Sequence, residues 1–119
     1  MSGALKTTLI LLTIAWGTMV QGATWSISSN QNEINGLVLG VLPGDTILLQ
    51  AGTWEYITFR DIHGTFHKPV IAINNGGVVI VNTQNNIYYK QGINIKGSHH
   101  FKLQGIGDQS KTYGIRVVN

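Results

Sequence analysis

No cysteine occurs among the 119 residues, so disulfide staples, thiolate metal centres and cysteine nucleophiles are all excluded. Lipid attachment through an N-terminal cysteine is excluded with them. Charge is also scarce, with eight Lys and Arg against five Asp and Glu and a formal net charge of +3. Nucleic-acid binding wants cations clustered on one face, and so mild a balance argues against it. No Asn-x-Ser/Thr sequon is present, which excludes that class of glycosylation. Nor does any Ser/His/Asp arrangement, phosphate-binding glycine loop or paired-carboxylate motif stand out. A chain of this length has room for one small domain, which buries a smaller share of its surface than a large one.

What is present begins with an export pattern. Lys6 supplies a positive start, "LILLTIAWGTMV" (residues 9–20) a short apolar run, and Val20-Gln21-Gly22 the small residues that precede a cleavage at Ala23. The run is too short, and too soon followed by polar residues, to span a bilayer. Residues 1–22 are therefore expected to be a signal peptide, which makes the protein secreted, periplasmic or displayed at the cell surface, with no membrane insertion after cleavage. Loss of Lys6 leaves seven cations against five carboxylates, a formal charge of +2.

Beyond the signal, "EINGLVLGVLPGD" carries Ile34, Leu37, Leu39 and Leu42 at loosely helical spacing. From Asp45 the chain alternates apolar and polar residues in short runs punctuated by Pro43-Gly44, Asn75-Gly76-Gly77, Gly97, Gly105 and Gly107, the pattern of strands with one buried face. One spacing recurs. Gly92-Ile93-Asn94-Ile95 and Gly114-Ile115-Arg116-Val117 lie 22 residues apart. The pairs Ile47/Leu49, Ile71/Ile73, Ile93/Ile95 and Ile115/Val117 follow at 24, 22 and 22, and Ile57/Phe59, Val79/Val81 and Phe101/Leu103 at 22 and 22. Two strand columns on one period are what a repeating coil demands.

The expected fold is all-β: a single-stranded parallel β-helix of about 22 residues per coil. Residues 23–44 would form an N-terminal strand and a short capping helix, and residues 45–119 the coils. The chain stops at Asn119 within a strand pattern with no closing cap, so the β-helix is expected to be incomplete and the sequence an N-terminal portion of a longer protein. Outward columns would then be Thr58, Ile80 and Lys102; Arg60, Asn82 and Gln104; and Leu48, Ala72, Asn94 and Arg116.

Residues 42–81 carry a family resemblance. Pro43-Gly44-Asp45-Thr46, Gly52-Thr53-Trp54 and Gly64-Thr65 with Pro69 are similar to the opening coils of secreted right-handed parallel β-helix proteins of the pectate-lyase-like superfamily. They resemble in particular polysaccharide lyases of the alginate lyase and chondroitinase B kind. "GINIKGSHHFKLQGIG" resembles their coil repeat, and the resemblance extends over residues 24–119. It implies a carbohydrate-active protein, most directly a polysaccharide lyase cleaving uronate-containing glycans by β-elimination, with calcium as a candidate cofactor. No catalytic motif matches residue by residue, so no base, catalytic residue or calcium site is assigned, and this portion alone is expected to be inactive. The alternative reading is a non-catalytic, adhesin-type β-helix that binds glycan or protein.

Candidate binding residues follow from the expected columns. Arg60 and Lys102 stand two coils apart, about 10 Å along the stack, where an acidic polysaccharide could meet both. Asn82 and Gln104 would offer hydrogen bonds to its hydroxyls. Trp54, Tyr56, Tyr88 and Tyr89 could stack on sugars or close corners. His99 and His100 are adjacent in an extended stretch, point to opposite faces and read as a solvated turn, so no metal ligand is assigned. Gly105-Ile106-Gly107-Asp108 reads as a loop, and Glu55 and Asp61 as solvated carboxylates.

Overall fold

The computed structural model describes residues 5–7, 22–84, 91–107 and 113–118, and these are mostly β-strand. In chain order the elements are β1 (Leu5–Thr7), β2 (Thr24–Ile27), β3 (Glu33–Asn35), α1 (Gly36–Leu39), β4 (Thr46–Trp54), β5 (Ile57–Arg60), β6 (Val70–Asn82), β7 (Ile93–Lys96), β8 (Phe101–Gln104) and β9 (Ile115–Val118). They form two sheets. The larger runs β1-β2-β4-β6-β8 with β9 also on β6, and the smaller runs β3-β5-β7. Every pairing is parallel except that of β1 with β2.

Buried residues show that β4 and β6 each consist of two segments. Strict alternation would keep one parity inside, yet burial passes from Ile47 and Leu49 to Trp54 in β4, and from Val70, Ala72 and Asn74 to Val79 and Val81 in β6. The breaks fall at the register shift between Gln50 and Gly52 and at Gly76-Gly77. Gly52, Gly76 and Gly77 have φ of 126°, 82° and 143°, backbone that a residue with a Cβ rarely adopts. Consequently β8 pairs with the leading segment of β6 (Val70 to Ile73) and β9 with its trailing segment (Val79 to Asn82). Three parallel-stranded faces result. The first holds β2, β8 and the leading segments, the second holds β9 and the trailing segments, and the third is β3-β5-β7.

The core is built from residues stacked in register across these strands. Trp25, Ile47, Ala72 and Leu103 succeed one another on the first face, Trp54, Val81 and Val117 on the second, and Ile34, Phe59 and Ile95 on the third. Ile47, Leu49, Trp54, Ile57 and Phe59 are fully buried, each contributing roughly 2–3 kcal/mol of transfer free energy.

These pairings correct the register read from the sequence. Ile47 pairs with Ala72 and not Ile71, so Val70, Ala72 and Asn74 face inward while Ile71 and Ile73 lie half-buried on the outer side. The two Gly-Ile-x-Ile/Val phrases occupy different faces, since Ile93 pairs with Ile57 and Ile115 with Val79. The interval of 22 residues is therefore no common repeat. Thr24 meets Thr46, Thr46 meets Ile71 and Val70 meets Phe101, at separations of 22, 25 and 31. Asn74 explains the misreading of β6: its amide donates to the carbonyls of Gly77 (2.6 Å) and Ile106 (3.0 Å), so an inward polar residue serves backbone groups at the bend.

The expected capping helix shrinks to one turn. Asn35 caps α1 by accepting from the Leu37 and Val38 amides, and Gly40, left-handed at φ 89°, ends it. Leu37 and Leu42 remain exposed, while Ile34 is buried as a strand residue of β3. Of residues 1–22, only 5–7 and Gly22 are described, with 5–7 lying antiparallel along the edge of β2.

Candidate functional site

The outer side of the third face carries the polar residues Glu33, Asn35, Arg60, Asn94 and Lys96. Its frame is the inward stack of Phe59 and Ile95, which sets β5 and β7 in register and fixes which residues face out. Beside that stack run Glu33, Thr58 and Asn94 on one side and Asn35, Arg60 and Lys96 on the other; Thr58, expected to face outward, is instead buried at 3% exposure. Arg60 and Lys96 stand in register on neighbouring strands, whose backbones lie about 4.8 Å apart. Arg60 Nη2 lies 3.5 Å from Glu33 Oε1, with both side chains well exposed. Such a surface pair contributes at most about 1 kcal/mol, and its main effect is to orient the guanidinium. Asn94 donates to Gln91 Oε1 at 2.8 Å, which holds its amide at the row's edge.

The row ends at a tight corner. Asp61 and Gly97, next in register, have φ of 53° and 59°, and the Asp61 amide donates to the Lys96 carbonyl at 3.0 Å. A Cβ at Gly97 would crowd the Asp61 carboxylate in a left-handed conformation that favours glycine. Ser98 Oγ donates to the Lys96 carbonyl (3.0 Å) and accepts from the Ile62 amide (3.1 Å). Beyond it the His63 and His99 rings stack with centroids 4.6 Å apart, and His63 Nε2 sits 2.9 Å from the Gly97 carbonyl oxygen. His99 Nδ1 and His100 Nδ1 are 3.1 Å apart. This corrects the expectation that adjacent histidines diverge: His100 has a φ of 49°, off the extended backbone, and the two rings meet edge to face.

The four residues expected to share a binding surface are not gathered on one. Arg60 is on the third face, Asn82 on the second beside Val118, and Lys102 and Gln104 on the first beside Ile71 and Ile73. Only Lys102 and Gln104 stay together, both exposed on β8. Ala72, expected outside with Leu48, Asn94 and Arg116, is fully buried. Trp54 is also fully buried, its indole N–H donating to the Gln50 carbonyl at 2.9 Å, so it cannot stack on a sugar. Tyr88, Tyr89 and Asp108 lie outside the described residues. The sequence reading missed Asn35 and Lys96 as neighbours of Arg60. The turn residues Asp61 and Gly97, each following a cation, were the available signal.

Calcium needs several converging oxygen ligands. Among the described residues no three His, Cys, Asp or Glu side chains converge, so these residues do not fit such a site. On the first face, an open groove of about 570 Å³ is lined by Ser26, Ser28, Leu48, Gln50 and Asn75. It offers hydroxyls and amides but no charge. No helix among the described residues is long and apolar enough to cross a membrane. Comparison of the chain with known protein families, with curated proteins and with solved structures finds no match.

Proposed function

We propose that the chain forms successive coils at the N-terminal part of a right-handed parallel β-helix in a secreted carbohydrate-active protein, a polysaccharide lyase acting on uronate-containing glycans. The fold part of this reading is supported by three parallel faces visited in constant rotation, from β4 through β5 to β6 and on through β7 to β8 and β9. The observation that carries the function is the row Asn35-Arg60-Lys96. Two cationic residues in register on neighbouring strands, with Asn35 and Asn94 nearby, suit the carboxylates and hydroxyls of an acidic sugar chain lying across β3, β5 and β7. No residue is assigned to the β-elimination step.

The test is binding of polyuronate and of a neutral glucan to the exported protein. Polyuronate should bind, weaken as salt rises, and lose at least tenfold in affinity in the Arg60→Ala, Lys96→Ala double variant. Equal binding of the two polymers, or no effect of the double variant, would exclude the row as an acidic-glycan site. Release of unsaturated uronate ends by the full-length native protein tests the lyase assignment separately. The uncharged groove at Ser26, Gln50 and Asn75 favours a second reading, a non-catalytic adhesin-type β-helix; neutral glycan binding lost in Gln50→Ala would support it.

A further inference from the structure

Asp45 is the one buried carboxylate among the described residues, 3% exposed at the start of the first face. Its Oδ1 accepts from the Ala23 backbone N–H at 2.8 Å, and its Oδ2 from the Trp25 indole and the Leu42 amide, each at 2.9 Å. Three neutral donors satisfy its hydrogen bonding, but no described Lys, Arg or His side chain pairs with its charge. A buried anion held only by neutral dipoles lacks the partner that normally offsets its desolvation. Ala23 is equally fixed: 6% exposed, with its carbonyl accepting from the Thr46 amide at 2.9 Å.

The donor nearest Oδ1 is also the atom that export would change. We propose that Asp45 is the receptor for the α-ammonium of Ala23, created when the leader is removed between Gly22 and Ala23, so that processing converts a buried hydrogen bond into a buried ion pair. This rests on the export reading above. A leader peptidase breaks the Gly22–Ala23 amide with one water: its hydroxyl goes to the Gly22 carbonyl carbon, giving a departing carboxylic acid that releases its proton to solvent, and its remaining hydrogen goes to the Ala23 nitrogen. At neutral pH that amine takes a further proton from solvent and becomes the ammonium. Because Ala23 N already sits 2.8 Å from Oδ1, no rearrangement is needed. Gly22 fits beforehand only because it has no side chain, since a Cβ there would run into the Gly44 carbonyl oxygen.

The experiment exports the 119-residue chain with its own leader and measures the N-terminus and its reactivity by mass spectrometry. A product beginning at Ala23 is expected. Acylation of its α-amine by an activated ester at neutral pH should run at least tenfold slower in the native protein than in urea. Asp45→Asn should remove that protection, while Trp25→Phe, which deletes another donor to Asp45, should keep most of it. Because the native-versus-urea comparison needs only the wild-type chain, failure of Asp45→Asn to fold leaves the test intact. Retention of the leader on the exported chain, or failure to export, would overturn both the export reading and this proposal. Release with a different first residue, or an Ala23 amine as reactive in the native protein as in urea, would overturn this proposal and leave export standing.

Discussion

Asn74 concentrates the residue-scale argument, because one inward amide answers three backbone groups that the bend between the first and second faces would otherwise leave unpaired. It donates to the Gly77 and Ile106 carbonyls and accepts from the Ile106 amide at 2.6 Å. Replacing it by Leu keeps the volume and strands those groups, so Asn74→Leu should destabilise by about 2–3 kcal/mol in urea unfolding, despite raising core hydrophobicity. A neutral or stabilising result would mean that the bend finds other partners. Gly97→Ala should cost about 1–2 kcal/mol, because its φ of 59° and the Asp61 carboxylate beside it both resist a methyl group. The same substitution should also weaken polyuronate binding, since the corner holds Lys96 beside Arg60.

At the scale of the element, β6 separates what the sequence revealed from what it hid. Alternation identified a strand with one buried face, and the strand is there. Alternation cannot choose a parity when both sets are apolar, and Val70/Ala72 competes with Ile71/Ile73. Size favoured the isoleucines. The structure selects the smaller residues because Ala72 lies in register between Ile47 and Leu103, in the column that begins with Trp25. The same slip displaced the binding residues, for the expected partners of Arg60 were counted along a period that the chain does not keep. Glycine corners were visible in the sequence, whereas the lengths of the connections between faces were not. Ala72→Leu should therefore overpack and destabilise by about 1–3 kcal/mol, while Ile71→Ala on the outer side should cost less than about 1 kcal/mol. The reverse ranking in denaturant titrations would restore the parity read from the sequence.

Across the whole molecule, coverage declines from the middle strands to the last ones. Phe59 and Val81 are fully buried, but their register partners Ile95 and Val117 are 49% and 51% exposed. Local stability should follow the same gradient. Amide exchange should be slowest in β4 and β6 and at least a hundredfold faster in β7 to β9. Ile57→Ala should cost about 3–4 kcal/mol and Ile95→Ala about 1 kcal/mol. Uniform protection would mean that the exposed ends are covered in solution.

The unequal separations between paired strands carry a consequence for how such a sequence can drift. Strands that meet in register lie 22, 25, 27, 31 or 36 residues apart, so the chain between faces varies in length while the inward stack stays aligned. Residues gained or lost in those connections leave every buried neighbour in place, whereas a single insertion inside Ile57–Arg60 would turn Ile57 or Phe59 outward. Ancestry would then be written in the short buried stretches alone, and the intervals between them, which a comparison of whole sequences weighs equally, would be free to wander.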